Sequence, residues 1–204
     1  MASKYHLVDN SYYYNNSDVP INKYNIQDKE TLHEIEKGLL EEAYSIFFEE
    51  LNSTTHFNEA YFKSLHRRTF ESLYEWAGVY RDFNMAKGDS RFCQGAYVSD
   101  ASKKIFQELA EENYLKEYEA LEKKELFAHR LAYYLCELNA LHPFYELNGR
   151  ITRLFIDMIV AYNGYEFIDY SHTTSQEYLQ ASIECVQFAD ASKLEAILLQ
   201  GLRK

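Results

Sequence analysis

A run of polar side chains interrupts an otherwise apolar part of the sequence at residues 142–155, "HPFYELNGRITRLF". Asn148 and Gly149 tolerate left-handed backbone, which would turn their N–H groups inward at the start of a helix. A helix N-terminus attracts anions through its unpaired N–H groups and its dipole. Arg150 and Arg153 follow on one helix face. Two guanidiniums beside such a nest predict a site for a di- or triphosphate.

Two further side chains of this stretch could take part in chemistry on that phosphate. Glu146 lies just before the nest and would be repelled by phosphate unless a cation lay between them. Magnesium, which is bound by one carboxylate and several phosphate oxygens, fits that position. His142 lies on the same stretch, and a histidine of ordinary pKa can accept a proton from a hydroxyl at neutral pH. Together these groups suit attack by a hydroxyl on a nucleotide phosphorus.

The elements that must position these groups are helices joined by short connections. Seven glycines and two prolines in 204 residues leave few helix breaks. Pro143 cannot lie inside a helix, so the chain turns there and the polar stretch becomes a loop between two helices. Apolar residues recurring at every third and fourth position predict the helices. Their expected bounds are a helix from Lys29, then 58–76, 100–111, 124–140, 148–162, 174–188 and 191–202.

Two segments do not follow the helical pattern. Residues 80–98, "YRDFNMAKGDSRFCQGAYV", contain short strand-like pieces around a turn-forming "AKGDS", which favours a β-hairpin. Residues 1–28 are polar and rich in tyrosine, and we interpret them as an irregular arm packed on the domain. With no internal repeat and no low-complexity linker, residues 29–204 are interpreted as a single domain. Trp76 is expected in the core.

Composition argues against several classes of protein. Hydrophobic residues make up 47% and charged residues 26%, as in soluble globular proteins. No apolar run approaches the roughly 20 residues of a membrane span, and the N-terminus lacks the apolar centre of a secretory signal, so we expect a cytoplasmic protein. A net charge of −11 argues against broad nucleic-acid binding. The three cysteines, which lie far apart, are interpreted as buried thiols, not as a disulfide frame or a zinc site.

The polar stretch resembles the signature of the Fic (filamentation induced by cAMP) family, His-Pro-Phe-x-(Asp/Glu)-Gly-Asn-Gly-Arg-x-x-Arg. Every fixed position matches except one, where Leu147 replaces the first glycine. The resemblance extends beyond the motif. Residues 65–93, "LHRRTFESLYEWAGVYRDFNMAKGDSRFC", are similar to the family's helix leading into its flap hairpin, and residues 20–28, "PINKYNIQD", are similar to its N-terminal arm.

The resemblance implies a mainly α fold, a helical bundle with a short β-hairpin flap over the active-site loop. It also implies transfer of AMP from ATP to a Ser, Thr or Tyr hydroxyl of a target protein, with release of pyrophosphate. By the same resemblance, His142 would be the base and Phe144 would hold the loop in the core. Glu146 would bind Mg²⁺ between the α- and β-phosphates. The anion hole would be formed by Asn148 and Gly149, and the β- and γ-phosphates would be bound by Arg150 and Arg153. The hairpin at 83–98 would be the flap on which the target docks by strand addition, with Lys87 and Phe92 near the nucleotide or the target.

The family resemblance leaves two questions open. If position 147 needs a positive φ, a leucine there costs about 1–2 kcal/mol, and its side chain could crowd the phosphates. Three hypotheses therefore stand: a protein adenylyltransferase, a Doc-like phosphotransferase, or a Fic-fold nucleotide- or protein-binding module with impaired catalysis. Gly149 argues against the second, because the Doc motif carries Asn-Lys-Arg.

The second question concerns regulation. Fic proteins commonly carry an inhibitory helix with the sequence (Ser/Thr)-x-x-x-Glu-(Gly/Asn), whose glutamate pairs with the second motif arginine, here Arg153. Similar spacings in this chain lack the final Gly or Asn: Ser45 to Glu49, Thr55 to Glu59 and Thr173 to Glu177. The resemblance therefore implies restraint by a separate small antitoxin protein.

Overall fold

The computed structural model of the protein describes residues 6–7, 12–118 and 121–204. The described part is mainly helical with one small sheet, as the sequence predicts. Its helices are α1 (Lys29–Glu50), α2 (Glu59–Phe70), α3 (Val98–Glu111), α4 (Lys124–Leu141), α5 (Asn148–Tyr162), α6 (Ser175–Phe188) and α7 (Ser192–Gly201). Its strands are β1 (His6–Leu7), β2 (Met85–Lys87) and β3 (Ser90–Arg91). Short 3₁₀ turns occur at Gly95–Tyr97, Asn113–Tyr118 and Leu121–Lys123.

Helix α5 lies at the centre of the bundle, in contact with α1, α2 and α4. Its apolar residues are buried over consecutive positions, including Leu154, Phe155 and Ile156, and a helix that is apolar on most sides belongs inside a core. The predicted bounds of this helix, 148–162, are confirmed. The candidate active-site residues at its N-terminus therefore lie at the end of a deeply buried helix.

The predicted hairpin is confirmed, and a third strand joins it. Strands β2 and β3 pair antiparallel around a turn in which Gly88 has φ +56°. On its other edge β2 pairs antiparallel with β1, in the register His6 to Ala86. The prediction of an irregular arm was therefore wrong at His6–Leu7, because these residues complete the hydrogen bonding of a sheet edge.

Helix α2 is shorter than predicted. It ends at Phe70, and residues 71–79 form turns in which Gly78 takes φ +78°. These turns place the Tyr74 hydroxyl 2.5 Å from Glu36 Oε1 and the Gly78 N–H 3.0 Å from His66 Nδ1. A straight helix continuing to residue 76 could not bring both groups back to those partners. Trp76 lies in the core, as expected.

The prediction that all three cysteines are thiols was wrong for two of them. Cys136 of α4 and Cys185 of α6 form a disulfide with a Cα–Cα distance of 5.6 Å, although 49 positions separate them in sequence. Both are buried, and Cys93 is a half-buried free thiol. The packing of α6 on α4 brings the pair together, which spacing along the chain cannot indicate. Within the described residues, no helix is both long enough and apolar enough to cross a membrane.

Candidate active site

The loop between α4 and α5 is held by two residues in left-handed backbone. His142, at the C-terminus of α4, has φ 43° and ψ 58°, and Leu147, just before α5, has φ 66° and ψ 10°. The left-handed backbone predicted at Asn148 and Gly149 was wrong, because both lie in the first turn of the right-handed α5. The positive φ raised as a question for position 147 is present, and the bend falls there.

The side chain of Asn148 closes the loop on itself. Its Oδ1 accepts a hydrogen bond of 2.7 Å from the Phe144 N–H, and its Nδ2 donates one of 2.8 Å to the Phe144 carbonyl. The Phe144 ring is fully buried, 4.0 Å from the His66 ring between centroids. The N–H groups of Asn148 and Gly149 are the first two of α5, where a helix has no internal acceptor for them. They are thus the donors that the helix N-terminus offers to an anion.

Leu147 takes the position of the motif glycine but has a side chain, and that side chain is buried. It is 7% exposed and belongs to the main apolar core, although it also lines the cavity described below. Gly149 has open space in front of it, since a Cβ added there would meet nothing within 4 Å. An anion can therefore approach the N-terminus of α5 beside Gly149, while Leu147 contributes to packing.

The carboxylate of Glu146 accepts hydrogen bonds from the N-terminal arm and from the loop itself. The Tyr13 hydroxyl donates to its Oε1 at 3.0 Å, and the Leu147 N–H donates to its Oε2 at 3.2 Å. An ionised carboxylate is also a hard oxygen ligand of the kind that Mg²⁺ binds. No group of three or more His, Cys, Asp or Glu side chains able to hold a metal occurs in the described residues. Glu146 therefore fits Mg²⁺ only as one protein ligand beside the oxygens of a nucleotide.

His66 supports the same loop and was not singled out from the sequence. It is completely buried, and burial lowers its pKa to about 4. The Gly78 N–H donates to its Nδ1, so the proton of the neutral ring is on Nε2, which donates to the Glu146 carbonyl at 3.2 Å. The sequence signal was a histidine on the apolar face of α2. Only the fold shows that its second nitrogen reaches residue 146.

The two motif arginines have different partners. Arg150 donates to Glu36 Oε2 and to His33 Nδ1, both at 2.6 Å, so helix α1 binds its guanidinium. Arg153 donates to the Gly149 carbonyl at 3.4 Å and lies over the Tyr178 ring of α6 at 5.5 Å. Both arginines border the same cavity. An anion at the N-terminus of α5 would lie in the cavity that both of them line.

A buried carboxylate lies one helical turn beyond Arg153. Asp157 is 3% exposed, and burial raises its pKa to about 6. Its Oδ2 accepts a hydrogen bond of 2.7 Å from the Tyr44 hydroxyl, and its Oδ1 accepts one of 3.2 Å from the Ile168 N–H. Asp157 was not predicted from the sequence, because its burial depends on contacts with α1 and with the segment after α5.

The flap contributes aromatic and basic side chains above the loop. The Phe92 ring stacks on the His142 ring with centroids 3.8 Å apart and planes inclined by 12°. Lys87, at the end of β2, borders the cavity. The hairpin thus places an aromatic ring directly against the imidazole.

All of the residues selected from the sequence meet in one cavity of about 1230 Å³. That is larger than most single-ligand pockets, which measure about 300–1,000 Å³, so the cavity can hold a nucleotide together with part of a second reactant. The selected residues that line it are His142, Glu146, Leu147, Asn148, Gly149, Arg150, Arg153, Lys87 and Phe92. Other walls come from α1 and α6.

Comparison with known sequences agrees with this geometry. The family model of the Fic/DOC family matches residues 56–160. The chain is 33% identical over 180 residues to a probable protein adenylyltransferase, y4lH, of Sinorhizobium fredii, covering 88% of this chain and 90% of the relative. It is 34% identical over 187 residues to the protein adenylyltransferase VbhT of Bartonella schoenbuchensis, covering 90% of this chain but 37% of that longer protein.

Solved structures show the same fold. The BepC protein of Bartonella tribocorum, determined with bound AMPPNP, superposes with a TM-score of 0.80 at 24% identity, covering 94% of this chain and 96% of that one. The N-terminal Fic domain of a Bartonella quintana effector, determined with bound ADP, gives a TM-score of 0.79 at 26% identity, with 94% of each chain covered.

Proposed function

The chain belongs to the Fic/DOC family, and from that premise we propose that it is a protein adenylyltransferase, a nucleotidyltransferase that moves AMP from ATP to a Ser, Thr or Tyr hydroxyl of a target protein. The observation that carries the proposal is that the motif residues, including both arginines and the first residues of α5, line one cavity. Relatives named protein adenylyltransferases support the same reaction class.

In this reaction His142 is the general base. Its imidazole accepts the proton of the target hydroxyl, whose oxygen forms a bond to the α-phosphorus of ATP. The bond between that phosphorus and the bridging oxygen breaks, and pyrophosphate leaves. The stacked Phe92 ring restricts the orientation of the imidazole.

The triphosphate is bound by the first N–H groups of α5 and by Arg150 and Arg153. Arg150 must exchange Glu36 for phosphate oxygens, so its ion pair with α1 competes with the nucleotide. Glu146 would hold Mg²⁺, which supplies positive charge against the charge developing on the phosphates. The Tyr13 hydroxyl and the Leu147 N–H fix the orientation of that carboxylate.

The target protein docks on the flap by adding a strand to the hairpin, with Lys87 and Phe92 beside the acceptor side chain. One edge of β2 is already paired with β1 of the chain's own arm. A target strand that adds to β2 must therefore displace β1. We extend the proposal to the domain organisation, in which residues 1–28 are an arm on a single Fic domain at residues 29–204.

Restraint by a separate antitoxin is the proposed regulation. Glu177, which has the spacing of an inhibitory glutamate, is instead part of a capping box with Thr174 at the start of α6. That hydrogen bonding keeps Glu177 at its own helix end. An external protein that supplies a glutamate to Arg153 would restrain the enzyme through the same cavity.

The reaction is tested with two forms of labelled ATP and a bacterial lysate as the source of acceptor proteins. Label from the α-phosphate should appear on protein, and His142→Ala should abolish it while leaving ATP affinity within about twofold, because the base contributes to proton transfer and not to phosphate binding. Label from the γ-phosphate on protein would instead establish a Doc-like phosphotransferase. No transfer of either label, with ATP still bound, would leave a nucleotide-binding module.

A further inference from the structure

Arg81 is the largest side chain that the described part of the protein buries completely, with 1% of its surface exposed. It lies between the base of the flap and the loop that carries His142. A guanidinium is costly to bury unless its donors are satisfied. The groups that receive its hydrogen bonds therefore show what it does in the fold.

Two of these acceptors are the carbonyls at the end of α4. Arg81 Nε donates to the His142 carbonyl at 2.8 Å, and one terminal nitrogen donates to the Leu141 carbonyl at 3.1 Å. Carbonyls at a helix C-terminus lack internal partners and carry the negative end of the dipole, so a buried cation binds them favourably. Arg81 thus caps the helix that ends at the base.

The other two acceptors belong to the flap. The terminal nitrogens of Arg81 donate to the Phe83 carbonyl at 2.5 Å and to the Cys93 carbonyl at 2.6 Å. Phe83 precedes β2 and Cys93 follows β3, so one guanidinium joins both chain segments that lead into the hairpin. The main chain adds to the connection, since the Arg81 N–H donates to the Pro143 carbonyl at 2.8 Å.

The backbone of His142 needs contacts that hold it in its left-handed conformation. Left-handed backbone is unfavourable for a residue with a Cβ, and it persists where surrounding contacts fix it. The Arg81 contact falls on the carbonyl of that same residue. We propose that Arg81 is a positioning residue, which fixes the backbone of His142 relative to the flap and so keeps the base aligned with a hydroxyl presented by a target docked there.

This inference rests on the proposed adenylyl transfer. It assigns Arg81 no contact with nucleotide or target. It requires the planar, multi-donor guanidinium, because a lysine ammonium is a compact point donor that cannot span four carbonyls around it. Arg81→Lys therefore keeps the positive charge and removes the connection between loop and flap.

The test compares Arg81→Lys with a matched control, Arg130→Lys. Arg130 is a partly buried arginine of α4 that pairs with Glu108 and Glu112, away from the loop. We expect Arg81→Lys to lower the maximal rate of α-label transfer to lysate proteins by about 10- to 100-fold, the scale of a misplaced reacting group. Its ATP dissociation constant by calorimetry should stay within about twofold. Arg130→Lys should leave both quantities unchanged.

Nuclear magnetic resonance of the His142 imidazole gives a readout that does not depend on transfer. Arg81→Lys should shift its ring resonances and its titration midpoint, whereas Arg130→Lys should not. If the wild type transfers no label, the proposed function fails, and the His142 spectra still decide the role of Arg81. A folded Arg81→Lys with wild-type rate and unchanged His142 spectra overturns the inference. Loss of ATP binding in proportion to rate overturns it too, because that would indicate a general structural role.

A measurement on the wild type covers the case in which Arg81→Lys does not fold. With labelled arginine and histidine, scalar coupling across the hydrogen bond between Arg81 Nε and the His142 carbonyl carbon should be observable, and the Nε–H should exchange slowly with solvent. Observation of both supports the positioning role. A rapidly exchanging Nε–H without that coupling contradicts it.

Discussion

Leu147→Gly tests how the single departure from the family signature is accommodated. Leu147 has φ 66°, and left-handed backbone costs a residue with a Cβ about 1–2 kcal/mol. Glycine relieves that cost but loses about 0.5–1 kcal/mol in chain entropy. The leucine side chain is 93% buried, since 7% is exposed, and removing a buried leucine side chain costs about 2–5 kcal/mol. The losses exceed the gain, so Leu147→Gly should be less stable than the wild type by roughly 0.5–5 kcal/mol.

Leu147→Ala is the matched control, because it loses the same packing and keeps the left-handed penalty. The expected order of stability is wild type, then Leu147→Gly, then Leu147→Ala, with the last two about 1 kcal/mol apart. Thermal unfolding can measure this, since 1 kcal/mol shifts the midpoint of a chain of this length by about 2–4 °C. Alanine more stable than glycine would refute the left-handed assignment.

The same variants decide whether Leu147 obstructs the phosphates. Its side chain packs in the core, and the backbone of the wild type already has the conformation that a glycine would adopt. ATP affinity by calorimetry should therefore stay within about twofold in Leu147→Gly. Binding tightened fivefold or more would show that the leucine crowds the nucleotide, and that the wild-type site is weakened by it.

Three further predictions concern carboxylates of the site. Glu146→Ala should remove the dependence of ATP binding on magnesium, because Glu146 is the proposed protein ligand, and calorimetry showing the same magnesium effect in the variant would place the metal elsewhere. Glu36→Gln should tighten ATP binding by about 2- to 10-fold, the equivalent of one hydrogen bond, because the charged carboxylate that competes with phosphate for Arg150 is removed. The control is Glu41→Gln, on the exposed side of α1. Weaker binding in Glu36→Gln would mean that the ion pair orients Arg150 for phosphate. Burial raises the pKa of Asp157 from 3.8 to about 6, so the folded state binds the carboxyl proton more tightly than the unfolded state does. The protonated carboxyl therefore stabilises the fold at low pH. This stabilisation, up to about 3 kcal/mol, is lost as pH rises from 3.8 to about 6. Asp157→Asn should therefore gain stability relative to the wild type as pH rises, and equal differences in unfolding free energy at pH 3.5 and pH 7.5 would contradict this.

Local signals in the sequence were enough to locate the site. Pro143 ends one helix, Asn148 begins the next, and the polar residue types between them indicate phosphate chemistry without any knowledge of distant contacts. The bounds of α5 and the hairpin around Gly88 were predicted for the same reason, since both depend on residues that are neighbours along the chain. The meeting of Lys87 and Phe92 with the loop was expected only from the family resemblance.

The tertiary structure decided which groups hold that site in shape. His66 reaches Glu146 across 80 positions, Tyr13 reaches it across 133, and Arg81 reaches His142 across 61. The disulfide between Cys136 and Cys185 likewise depends on the packing of α6 on α4. A histidine on an apolar face or an arginine before a hairpin has many possible partners in sequence. Burial selects one of them, because a polar group removed from water must find its hydrogen bonds among whatever the fold brings within about 3 Å.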